Sequence, residues 1–302
     1  MANDTVATPT HLDDTLLTTP PTPKRCVGEA TCACKGKKKP CLFVHGVGNK
    51  DSSAPTPTFS DTWGDVQNSA PCCSSFAFAH YESVRRGWTR PEVQTEFCNT
   101  ALSIGTSGGK TIDNVILVTF SMGNLVAAGA IANDVCKLGD GVTWVAIAGP
   151  MQGSKAANLL EKKCSACGMD GALFGLCPVT EPYFQMKAED TVDANLKKAF
   201  QDAQTARKRA NKVLCGINSS GLASLASPVL SSIGAEAFPP GTLQDGVVDF
   251  DSCSVGFSKF STDAEAGANY KASINHFDTS FRNGDGWWGA DRMPVKWFEC
   301  AL

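Results

Sequence analysis

The chain has little that would tie it to a charged polymer or a bilayer. Its 302 residues carry 27 Lys and Arg against 30 Asp and Glu, a formal net charge of -3. No field of one sign therefore argues for nucleic acid or an anionic membrane surface as the partner. No segment approaches the ~20 consecutive apolar residues of a membrane-spanning helix. The opening stretch MANDTVATPTHLDDTLLTTPPTPKRC has no basic start followed by an apolar core, so it is not read as a signal peptide. Histidine is scarce, with four in the chain, and Cys164 and Cys167 form a lone C-x-x-C. Without a second such pair or paired histidines, the common zinc-site patterns are excluded. There is no internal repeat.

Cysteine, by contrast, is abundant. Fourteen of them, an even number, run from Cys26 to Cys300, which predicts disulfides and an oxidising, extracellular setting. The pairing stays open. Asn218-Ser219-Ser220 is an acceptor sequence for glycosylation, in keeping with secretion.

A hydrophobic share of 42% over this length allows one large core carrying an insertion. Residues 1–25, rich in Thr and Pro, are expected to be a flexible tail. From Pro40 the pattern changes. CLFVHG (41–46), FAFAHYES (76–83), VILVTF (115–120) and VTWVAIAG (142–149) read as strands, with helices at 91–105 and 122–133 between them. Continuous apolar strands alternating with helices imply a mostly parallel sheet covered on both faces. A helix expected from about Thr191 to Lys212 has an apolar stripe through Leu196, Phe200 and Ala203. It admits two readings, part of an inserted cap or an ordinary packing helix. Strand character returns at DGVVDF (245–250). The expected division is a sheet domain of 26–160 and 241–302, with a disulfide-stabilised helical cap at 161–240.

The stretch DNVILVTFSMGNLVAAGAIAND (113–134) reads as strand, sharp turn and helix, with Ser121 at the tip. A serine-type ester hydrolase needs a nucleophilic oxygen, a histidine oriented by a carboxylate, and backbone N–H groups aimed at the oxyanion. Parallel sheets present such groups at the carboxyl ends of strands. Ser121 follows one strand, Gly46 and Val47 another, Asp245 lies near a late one, and His276 follows them all. His11 lies in the tail and His80 inside a strand. Among the carboxylates, Asp249, Asp251 and Asp263 compete with Asp245.

Four segments resemble the α/β-hydrolase superfamily, and within it the bacterial-type triacylglycerol lipases and esterases. They are FVHGVGN, TFSMGNL, IAGPMQGSKAANLL, and QDGVV followed by INHFD. The resemblance implies a doubly wound sheet and the chain order Ser, acid, His. It assigns Ser121 as nucleophile, His276 as base, Asp245 as its partner, and the N–H groups of Val47 and Met122 as the oxyanion hole. The implied substrate is an ester with an apolar acyl group, and the reaction requires no cofactor. Asp278 matches a position that binds structural calcium in some of these lipases, although one carboxylate is far short of six oxygens. Thr119 and Met151 stand where the family has glycine and histidine. Three alternatives stay open: a thioesterase or acyltransferase on the same triad, an inactive secreted binding module, and a thiol-disulfide enzyme using Cys164 and Cys167.

Overall fold

The computed structural model describes residues 32–165 and 177–302; the Thr/Pro-rich tail, Cys26 and Cys167 lie outside them. Strands are β1 (Lys39–Val44), β2 (Ser53–Thr56), β3 (Cys73–His80), β4 (Thr106–Gly108), β5 (Thr111–Asp113), β6 (Ile116–Phe120), β7 (Lys137–Leu138), β8 (Thr143–Ile147), β9 (Lys212–Gly216), β10 (Phe260–Ser261) and β11 (Asn269–Ala272). The α-helices are α1 (Ser60–Trp63), α2 (Pro91–Ile104), α3 (Met122–Ala132), α4 (Lys155–Ser165), α5 (Glu181–Gln185), α6 (Ala194–Arg207), α7 (Ser227–Ala237), α8 (Phe250–Ser254) and α9 (Pro294–Ala301).

Eight strands form the main sheet in the order β10-β11-β9-β8-β6-β1-β3-β2. Every pairing is parallel except that of the edge strand β2 with β3. Because side chains alternate across a strand, neighbouring residues serve opposite cores. Leu42, Val44 and Leu117 pack with α2, α3 and α6 on one face. Cys41, Phe43, Ile116 and Val118 pack with Trp63, Trp297 and Phe298 on the other. This two-sided burial explains why β6 reads as an unbroken apolar run rather than an alternating one. Helix α3 lies in the interior, with Met122 to Ala130 buried throughout. Its Ala and Gly residues let it approach the sheet closely.

The sequence expectation needs revision in three places. The helix expected to reach Lys212 stops at Arg207, because the chain turns there and Val213 enters the interior strand β9. Its apolar stripe, with Phe200 and Ala203 fully buried, packs in the same core as α3. It is a core helix, and its start is capped by Asp193, which accepts from the N–H groups of Asn195 and Leu196. DGVVDF is not a strand. Asp245 Oδ1 accepts from the N–H groups of Val247 and Val248, closing a turn that leads into α8.

Six disulfides join described residues: Cys32–Cys300, Cys34–Cys72, Cys41–Cys73, Cys98–Cys136, Cys164–Cys177 and Cys215–Cys253. Cys164 is thus bonded outside its C-x-x-C, and the dithiol reading of Cys164 with Cys167 falls.

Candidate active site

Strand β6 ends at Phe120, and the next residue takes φ 52° and ψ -128°. A side-chain-bearing residue in that region is strained, and the strain turns Ser121 out of the strand before α3 begins. Its N–H is held by the carbonyl of Ile147 at 3.0 Å. Close approach on both sides explains two glycines. A Cβ at Gly123 would lie 2.6 Å from the carbonyl oxygen of His45, and one at Gly46 would lie 2.7 Å from Ser121 Cβ. The loop after β1 and the start of α3 can touch only because both positions are bare.

Thr119 is accommodated by hydrogen bonding. Its hydroxyl donates to Asn124 Oδ1 at 2.7 Å and accepts from Trp144 Nε1 at 2.9 Å. The Asn124 amide nitrogen in turn donates to the carbonyls of Thr119, Ser121 and Ile147 at 3.2, 3.1 and 2.8 Å. The Thr119 side chain is therefore built into a fully satisfied buried network that grips the turn. Met151 is also fully buried, in the apolar core rather than at the site.

Ser121 Oγ lies 2.9 Å from His276 Nε2, and His276 Nδ1 lies 2.8 Å from Asp245 Oδ2. All three side chains are buried, and the backbone also joins the last two: His276 N–H donates to the Asp245 carbonyl at 2.8 Å. The competing acids are elsewhere. Asp249 and Asp263 cap α8 and a short 3₁₀ turn. Asp278 pins the histidine loop, accepting from the N–H groups of Leu222 and Asn275 and from the Asn283 amide. Three N–H donors at one carboxylate do not fit a cation site, and no group of three or more His, Cys, Asp or Glu suited to a metal occurs among the described residues.

The loop carrying Val47 is anchored to the end of β3. Asn49 N–H donates to Ser83 Oγ at 3.0 Å, Ser83 N–H returns a bond to the Asn49 carbonyl at 2.8 Å, and the Asn49 amide reaches the Tyr81 carbonyl. His45 stacks on Tyr81 at 4.1 Å between ring centroids, and the Tyr81 hydroxyl donates to the His45 carbonyl. Burial pushes the His45 imidazole down to about 4, so the ring is neutral. Met122 opens α3, which leaves its N–H without an intrahelical acceptor.

Above these groups lies a cavity of about 1180 Å³ that holds Ser121, His276 and the 45–51 loop. Leu159 and Leu160 of α4, Tyr183 of α5, and Val229, Leu230 and Ile233 of α7 give it an apolar wall. Lys163 and Glu236 tie α4 to α7 at 2.7 Å. The lining also has polar and charged residues, among them His80, Asp61 and Arg282. His80 bonds Thr56 Oγ1 through Nε2 at 2.8 Å. Trp287 is 90% exposed, set edge-on against Trp288, and belongs to neither the core nor the cavity wall.

By sequence, no described protein family and no curated protein matches the chain. Among solved structures, the mature form of Bacillus licheniformis lipase BlEst2 aligns with a TM-score of 0.51 at 17% identity, over 83% of this chain and 89% of that one. The fold is that of the α/β-hydrolases. Weaker similarity extends to Staphylococcus hyicus lipase, with 12% identity over 89% of this chain and 95% of that one, at a TM-score of 0.42. It extends also to the metagenomic carboxyl esterase MGS0156, with 17% identity over 77% and 64% of the two chains, at a TM-score of 0.38. Within this α/β-hydrolase frame, the expected site residues Ser121, Asp245 and His276 are brought to one point. Asn124 lies within TFSMGNL, yet nothing in that pattern marks its carboxamide as the group that grips the turn.

Proposed function

We propose that this α/β-hydrolase cleaves carboxylic esters through Ser121, His276 and Asp245. The reading rests on one observation: an unbroken hydrogen-bond path from Ser121 Oγ through the His276 ring to Asp245, opening into a large cavity. His276 Nε2 takes the Ser121 proton as Oγ attacks the ester carbonyl, and the N–H groups of Val47 and Met122 hold the oxyanion. The imidazolium then protonates the leaving alcohol, and water, activated by the same nitrogen, releases the acid from the acyl-enzyme. Asp245 fixes the proton on Nδ1 and stabilises the imidazolium charge.

Helices α4, α5 and α7 act as the cap, and their apolar wall receives the acyl chain. The six disulfides support work outside a reducing compartment. A series of p-nitrophenyl esters of increasing chain length tests the reading directly. Hydrolysis by the wild type and its loss in Ser121→Ala support it; equal rates in the two proteins reject it.

A further inference from the structure

Most charged side chains on the cavity wall are either exposed or matched. Lys163 is paired with Glu236, and Lys50, Asp51 and Asp61 are exposed, so water and salt screen them. Arg282 differs. It is half-buried, its guanidinium lies 4.7 Å over the Phe277 ring, and Phe277 stands beside the His276 ring at 6.3 Å between centroids. Its Nε donates to Ser280 Oγ at 3.0 Å, and no carboxylate among the described residues pairs with it. Asp61 and Asp278 act on it only from a distance, while burial lowers its pKa. Asp278 is already committed to Leu222, Asn275 and Asn283.

The stack on Phe277 and the bond to Ser280 hold the guanidinium in place, and among the described residues nothing bonds its two Nη groups, which leaves them for a ligand. A planar fork of this kind matches a carboxylate or a phosphate, with two parallel hydrogen bonds to two oxygens. Arg282 lines the same cavity as His276 and the apolar residues of α4 and α7, and reaches the histidine through the Phe277 ring on which it stacks. An ester held at Ser121 with its chain against the apolar residues has its alcohol portion in the same cavity that Arg282 lines.

We propose that Arg282 forms an anion subsite, so that the preferred substrates are acyl esters whose alcohol portion bears a phosphate or carboxylate. The assignment rests on the ester-hydrolase reading and narrows it. The partial desolvation that costs the free guanidinium is offset when the substrate anion arrives.

The test compares three esters with one common acyl chain: a monoacylglycerol, its 3-phosphate, and the corresponding ester of glyceric acid. The wild type should favour one or both charged esters in kcat/KM, and the better of the two identifies the anion. Arg282→Gln should cost the charged esters about tenfold or more beyond any cost to the neutral one, chiefly in KM. Arg282→Lys should keep part of the preference, because it keeps the charge and loses the fork. Inorganic phosphate should compete more weakly against the Gln variant than against the wild type. Equal use of all three esters by the wild type, or a uniform loss in Arg282→Gln, overturns the subsite. Fluorophosphonate labelling of the same preparations separates the two levels: a protein that labels without discriminating loses only the subsite, and one that fails to label loses the ester-hydrolase reading.

Discussion

The carboxamide of Asn124 accepts the Thr119 hydroxyl at 2.7 Å and, through its nitrogen, donates to the carbonyl of Ser121 at 3.1 Å. One buried side chain thus links Thr119 to the backbone of the proposed nucleophile, Ser121. Thr119→Val keeps the shape and removes the hydroxyl, stranding Trp144 Nε1 and Asn124 Oδ1 in the core. Each buried unpaired group costs about 1–3 kcal/mol, so thermal denaturation should show a clear loss of stability. Stopped-flow kinetics should also show slower acylation. Thr119→Ser, which keeps the oxygen, should recover most of both.

Asp245 and Asp249 are four residues apart and do different work. Asp245 bonds His276, while Asp249 accepts from Ser252 N–H at the start of α8. Asp245→Asn should lower kcat by roughly 10³ to 10⁴-fold with little change in KM, since the imidazole loses its tautomer control. Asp249→Ala should cost about 1 kcal/mol of stability as a lost cap and leave catalysis nearly intact. Comparable losses of kcat in both would contradict the assignment.

His45 makes a pH prediction of definite sign. Its folded value, about 4, lies below the ordinary 6.5 because the ring is buried. The unfolded chain therefore binds more protons between these values, and stability falls as pH drops from 6.5 to 4. The loss amounts to about 3 kcal/mol. Asp249 and Asp278, raised by burial, act in the opposite direction at the acid end. They are shared by a His45→Asn variant and cancel in the comparison. Urea titrations across this range should show the wild type losing about 3 kcal/mol more than the variant; parallel curves would contradict the buried neutral ring.

The disulfides should differ in worth. Cys32–Cys300 closes 268 residues of chain and Cys164–Cys177 closes 13. Loop-closure entropy alone gives about 5.6 kcal/mol for the first and about 3 kcal/mol for the second. Calorimetry of the two double Cys→Ser variants should show the larger fall in melting temperature for the long closure.

Much of the sheet was legible because its strands are buried on both faces and so read as apolar runs, as at 115–120 and 142–149. The strand–turn–helix around Ser121 was legible for the same reason. β9 was masked because Val213 happens to continue the helical spacing of Leu196, Phe200 and Ala203. DGVVDF misled because Asp245 spends its carboxylate oxygen on the N–H groups of Val247 and Val248, and no local pattern distinguishes that turn from a strand start. The convergence of Ser121 with His276, 155 residues apart, was suggested by motif order alone. The role proposed for Arg282 could not be read in advance, since it depends on which ring the side chain stacks on and which acids stay away.

Intact-protein mass spectrometry after fluorophosphonate treatment tests the catalytic assignment most directly. The wild type should gain one adduct, located by peptide mapping at Ser121, and Ser121→Ala should gain none. An unmodified wild type, or an adduct of equal yield on the Ala variant, would contradict Ser121 as the nucleophile.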